Sequence, residues 1–209
     1  TAARAKIHDR FPAAYGMDPA EREGYEERNF RASLSGMAYL DYALYDDDGH
    51  LLRLSHDRDA MRWLHDHVDG TPTILEGFRV KGYRWGSRYS IYTGLPTVIG
   101  WDWHQKQQRN AIGHHVVDAR TADVATIYDT PDAATAAALL DQYHVDYVIV
   151  GEMERAFYAA DGLAKFDAMV DDGHAELVYA GGAADDPAGE PAVKIYRLDR
   201  AAEEEAGTP

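Results

Sequence analysis

A chain of 209 residues, 45% hydrophobic and 27% charged, is long enough for one medium domain with a real core. Its 36 acidic against 21 basic residues leave a formal charge of −15, which repels phosphate backbones and anionic lipid headgroups and so excludes a nucleic-acid partner and a polybasic membrane anchor. Cysteine is absent, which excludes a disulfide scaffold and a thiolate metal site.

Lysine occurs only at positions 6, 81, 106, 165 and 194, while Asp, Ala and Thr are abundant. That surface suits a protein kept soluble in high salt, where screening shortens the reach of self-repulsion, and a halophilic source is expected. No apolar run approaches the roughly 20 residues that span a bilayer. The chain opens on Thr1 rather than Met and begins in mid-stride, as a piece of a longer protein would.

Residues 1–32 are polar and broken by Pro12, Gly16, Pro19 and Gly24, which predicts an irregular arm or connector. From Ser33, two apolar stretches flank Asp46-Asp47-Asp48-Gly49, the pattern of a β-hairpin. A calcium loop is the rival there, but Leu51 and Asp57 stand where an EF-hand needs Gly and Glu. Ser55 or Asp57 is placed to cap a helix running to about Val68, with Ala60, Leu64 and Val68 on one face. Asp57 and Asp59 also form a DxD pair, which either holds a metal or complements the helix dipole. Asp69-Gly70-Thr71-Pro72 stops that helix, and Thr73 to Phe78 reads as a short strand.

Beyond position 120, a short helix is expected from Thr121 to about Tyr128, then a second one capped by Thr130 with Pro131 in its first turn. Val145 to Val150, VDYVIV, is a continuous β-branched run, the mark of a central parallel strand buried on both faces. In open α/β sheets the loop after such a strand faces the ligand, which singles out Glu154 and Arg155. A helix at Leu163 to Val170 and strands at Ala175 to Tyr179 and Ala192 to Leu198 complete the unit. The predicted fold class is α/β: a single open, mostly parallel sheet flanked by helices over 33–199, with an antiparallel hairpin at its C-terminal edge. Residues 200–209 read as a disordered acidic tail.

The segment Tyr83 to Arg109 stands apart chemically. It holds three of the four tryptophans with three arginines, one histidine and several amides. Flat rings beside cations and amides are what a protein uses to hold a polar, partly anionic ligand. The candidate binding residues are therefore Arg84, Trp85, Arg88, Trp101, Asp102, Trp103, His104, Gln105, Gln108 and Arg109, with Glu154 and Arg155 closing on them. If Asp102 caps a helix, His104 and Gln108 share one face and Gln105 and Arg109 another. The bland reading keeps these aromatics in the core and pairs the arginines with carboxylates. A metal site from Asp102, His104, His114 and His115 is a further possibility. Dinucleotide, P-loop, zincin, α/β-hydrolase and zinc-ribbon motifs are all absent.

The strings SLSGMAY, RWGSRYSIYTGLPTVIGWDWHQKQQR, IYDTPD, YHVDYVIVGEMERAFY, GLAKF and VKIYRLD resemble the carboxyl-terminal region of the multispanning membrane proteins of the YYY, or DUF2298, family. That family looks related to the GT-C glycosyltransferases, which take sugars from polyprenyl-phosphate donors. The resemblance covers about Ser33 to Asp199. It implies an extracytoplasmic domain on a cell-membrane protein, whose partners are its own membrane-embedded part and a polyprenyl-phosphate sugar or glycan acceptor. Related oligosaccharyltransferases touch the acceptor through a WWDYG motif. Trp101-Asp102-Trp103-His104 is similar in character and position but lacks the Tyr-Gly ending. The family's catalytic acids and any divalent metal would sit on loops of the membrane part, so this domain is expected to be inactive alone and to hold no cofactor. A self-contained metal-assisted hydrolase using Asp102 and His104, and a purely structural interaction module, are the alternatives.

Overall fold

A computed structural model describes residues 35–41, 43–80, 83–183 and 189–199; the predicted N-terminal arm and the acidic tail lie outside them. The predicted hairpin is present, with β1 (Leu44–Asp47) antiparallel to β2 (His50–Arg53). Its two turn residues, Asp48 and Gly49, both have positive φ, which matches the right-handed twist of the strands and suits Asp-Gly. The chain then runs through α1 (Leu54–His67), β3 (Thr73–Leu75), α2 (Arg88–Thr93), α3 (Asp102–Gln108), α4 (His115–Asp129), α5 (Ala133–Gln142) and β4 (Val145–Val150). It closes with α6 (Glu152–Phe157), α7 (Ala160–Asp171), β5 (Ala175–Ala183) and β6 (Pro191–Leu198).

The α/β class and the C-terminal hairpin are as expected, but the sheet is mixed rather than mostly parallel. Its order is β3-β4-β6-β5, with β3 and β4 parallel and the other two pairs antiparallel. The reason lies in the hairpin. β6 returns from β5 and inserts against β4, so the pairing that the apolar β4 run promised to a parallel neighbour goes on that side to an antiparallel one. The chain around Thr97 meets the sheet through a single parallel bridge from Ile74 to Thr97.

β4 shows why its sequence is mostly apolar. Val145, Val148 and Val150 join a core with α4, α5 and α7 (Val124, Ile127, Leu140, Phe166), while Ile149 joins the opposite core with α1 (Leu54, Met61, Leu64) and Met153. Helices thus cover both faces, and successive side chains serve different cores. The Tyr128 hydroxyl donates to the carbonyls of Leu75 and Ile149, fastening the end of α4 across two strands. Gly162 lets α7 approach that end, since a Cβ there would stand 2.3 Å from the Tyr128 carbonyl oxygen.

Three capping expectations are corrected. α1 begins at Leu54, one residue before Ser55, because Glu152 of α6 accepts the Arg53 N–H at 2.6 Å and Asp57 is turned inward. α5 is capped by Asp132, whose carboxylate accepts from Ala134 N and Thr135 Oγ1, while the Thr130 N–H closes α4, which starts at His115 rather than Thr121. The predicted loop after β4 is the helix α6, because the Glu154 side chain reaches back to the Gly151 N–H at 2.8 Å and starts it.

Candidate functional site

The segment from Tyr83 to Arg109 divides into an interior knot and an exterior face. The knot is built on Arg88, the first residue of α2, whose guanidinium is fully buried. Its Nε donates to Asp57 Oδ2 at 2.8 Å, and Nη1 and Nη2 form a two-pronged contact with Glu154 at 3.1 and 2.8 Å. Asp57 also accepts from Trp85 Nε1 at 2.6 Å and from the Tyr89 hydroxyl at 2.7 Å. Glu154 completes its set with the N–H groups of Gly77 and Gly151, both at 2.8 Å. Burial disfavours the Arg88 charge, but Asp57 and Glu154 outweigh it and hold the guanidinium well above its ordinary pKa. Burial likewise works against the Glu154 carboxylate, yet Arg88 and the two N–H groups bring it below the usual range.

Beside the knot lies Glu76, wholly buried at the end of β3. Its two oxygens accept the N–H groups of Tyr89 and Ser90 at 2.9 Å each. Those are the orphan donors at the start of α2 that a cap must satisfy. Ser87, the residue in the N-cap position, has φ of 61° and makes no side-chain cap, so Glu76 supplies it from a neighbouring strand. Burial pushes the Glu76 carboxyl up to about 7, against the pull of Arg88 and the two N–H donors.

The remaining candidates sit at the margin or outside. Arg84 reaches the β1–β2 turn and pairs with Asp47 and Asp48 at 3.3 Å each, while Arg79 pairs with the same two residues. Trp101 is half-buried, its Nε1 donating to the Arg84 carbonyl at 3.1 Å and its ring set edge-on to Tyr83. The Tyr83 hydroxyl meets His104 Nδ1 at 3.4 Å. Asp102 does not cap α3: Trp101 holds the N-cap position, and Asp102 is the first helical residue, buried, with one oxygen 3.5 Å from Lys106 Nζ. His104 and Gln108 are both exposed, as their shared spacing predicts; Gln105 turns inward and Arg109 is half-buried. Asp102 and His104 therefore face opposite environments. Among the described residues, no three His, Asp or Glu side chains gather as a metal-binding group.

Trp103 is different. It is 56% exposed, although large aromatics usually cover themselves. With Lys106, Gln107, Asn110 and His114 it lines a cleft of about 280 Å³. Positions 103, 106, 107 and 110 follow helical spacing, so one face of α3 and the turn after it present a ring, a cation and two amides together. Lys106 is anchored by Asp118 at 2.7 Å, and that contact holds its pKa up.

Glu154 thus joins the central segment, but inside the knot rather than across a ligand. Arg155 does not join it: its guanidinium donates to the Ala192 carbonyl and borders a separate cleft of about 380 Å³ with Asp167, Lys194 and Tyr196. Sequence reading missed Asp57 as part of the knot and Glu76 as the cap beside it. Glu76 leaves one trace, a lone carboxylate in the apolar run TILEGF. The Trp103 face leaves a clearer one, the spacing of Trp103, Lys106, Gln107 and Asn110.

No family model matches this chain, and no curated protein matches it. Among solved structures it is similar to the C-terminal globular domain of an oligosaccharyltransferase from Archaeoglobus fulgidus, at 12% identity and a TM-score of 0.42, over 68% of this chain and 96% of that one.

Proposed function

We propose that this chain is the extracytoplasmic domain of a multispanning, GT-C-like membrane glycosyltransferase, where it binds a glycan acceptor or the sugar of a polyprenyl-phosphate donor and leaves catalysis to the membrane part. Any divalent metal then belongs to that part, which is the domain's expected partner. The observation that carries the reading is Trp103, an exposed ring beside amides and a cation on a helix pinned to α4 by the Lys106–Asp118 pair. An indole face stacks on the C–H face of a sugar ring while the amides of Gln107 and Asn110 address its hydroxyls. The strings shared in character with the YYY family supply the membrane setting.

The test is a titration of the purified chain with short oligosaccharides and with a polyprenyl-phosphate sugar in micelles, followed by tryptophan fluorescence. Saturable quenching that weakens at least tenfold in Trp103→Ala is expected, since ~1.4 kcal/mol of lost contact is tenfold in affinity. Quenching unchanged in that variant would sink the reading. The reading also requires multiple apolar spans in the gene upstream of Thr1.

One observation favours a second reading. The donors of Arg84 and Arg88 are committed to the protein's own carboxylates, which suits a non-catalytic module that docks on its membrane partner. Retention of the membrane part by the wild-type chain but not by Trp103→Ala, with no sugar binding in either, would decide for it.

A further inference from the structure

The cleft beside Trp103 has one ammonium in its lining, and the protein's own carboxylates already hold it. Lys106 Nζ lies 2.7 Å from Asp118 and 3.5 Å from Asp102. Two carboxylates thus share one cation, which leaves the surroundings of Lys106 with an excess of negative charge. Asp102 is buried, whereas the Asp118 side chain is 57% exposed at the start of α4. The Lys106 contact holds the Asp118 carboxylate below its usual range, and His114 and His115 add to the pull. Asp118 therefore stands against both basic groups that line the cleft, Lys106 and His114.

What remains for a ligand is a ring and two amides. The side chains of Gln107 and Asn110 each offer donors and an acceptor without charge, a match for hydroxyl and acetamido groups. An acidic sugar brings a third carboxylate to a lysine that two already hold, and like charges a few ångströms apart repel even through water.

We propose that the Trp103 cleft takes an uncharged sugar, a hexose or an N-acetylhexosamine, in preference to a uronate, and that Asp118 sets this preference by holding Lys106. The inference rests on the sugar-binding reading of Trp103 and adds the charge of the sugar and the residue that selects it. Asp118 is a positioning residue, acting through Lys106 and through its own charge at the rim.

The experiment pairs sugars that differ only in charge. Short oligosaccharides of glucose, galactose and mannose are titrated into the full 209-residue chain beside their C6-oxidised uronate counterparts, at one ionic strength and about pH 8, where histidine is ordinarily neutral. Tryptophan fluorescence reads each affinity. The neutral member of a pair should bind about fivefold tighter or more. Asp118→Asn frees Lys106 and should bring the two affinities level or favour the uronate, whereas Asp118→Glu keeps the charge and should keep the preference. Asp66→Asn removes the same charge from an exposed position on α1 and should also keep it, which separates the local carboxylate from the overall charge of −15. Uronates bound as tightly as their neutral partners by the wild type, or a preference unchanged in Asp118→Asn, would overturn the proposal and leave the Trp103 reading standing. Binding of neither kind of sugar would overturn both. Should Asp118→Asn fail to fold, the wild type decides alone: a neutral preference that shrinks as added salt screens the carboxylates supports the proposal, and one indifferent to salt refutes it.

Discussion

Arg88 and Trp103 stand 15 positions apart in one aromatic, basic segment, yet one is sealed among carboxylates and the other stands in solvent. The difference lies in what each meets across the fold. Arg88 enters the space between α1 and α6, where, among the described residues, Asp57 and Glu154 have no other strong counter-ion, so three expensive burials offset one another. Trp103 points into solvent from a seven-residue helix whose other side packs on α4. The lesson is that a chemically rich stretch need not be one site: here its interior half fixes the scaffold and its exterior half stays open to solvent.

Four substitutions sharpen or break that contrast. Arg88→Met leaves Asp57 and Glu154 buried without their cation and should cost about 3–5 kcal/mol in denaturant unfolding; a loss below 1 kcal/mol would mean the knot does not hold the domain. Glu76 should set a pH dependence. Its folded pKa, about 7, lies above the ordinary carboxylate value of 4.5, so the folded state holds the proton more tightly. Its contribution to stability is full below pH 4.5 and is lost as the pH rises to 7. The thermal midpoint should slope downward across that window, and Glu76→Gln should flatten it. Glu154, with its pKa lowered, acts in the opposite sense and below pH 4.5, so acidification past that point should destabilise the wild type.

Trp101→Ala should fall between the two regions, losing the Tyr83 contact and the bond to the Arg84 carbonyl for about 1–3 kcal/mol. Trp103→Ala should be the mildest for stability, within about 0.5 kcal/mol, while removing ligand quenching. A large destabilisation in Trp103→Ala would erase the distinction drawn between face and scaffold.

The elements that sequence reading caught are those whose signal is local. The Asp-Gly turn, the VDYVIV run and the alternation of the closing hairpin each carry their own instructions within a few residues. What it missed depends on partners far away in the chain. Asp57 looks like a dipole-complementing residue until Arg88 arrives from 31 positions on, and Glu154, expected to close on a ligand, instead meets the same guanidinium across 66. The mixed sheet was hidden for the same reason: apolar β4 reports burial on both faces but not the direction of its neighbours. Within the segment that residue types singled out, only burial could separate Trp103 from Trp85 and Arg88.

Glu76 carries a consequence for how the chain folds. A helix of six residues is too short to persist alone, and α2 lacks a cap of its own, so its first turn has no partner for its amides until β3 is in place. Its nucleus is borrowed, not encoded. α2 and the segment leading to α3 should therefore organise late, after β3 has docked on β4, and the Tyr89→Phe substitution should speed unfolding while leaving the folding rate nearly untouched. The Trp103 face would be the last part of the domain to assemble and the first to loosen.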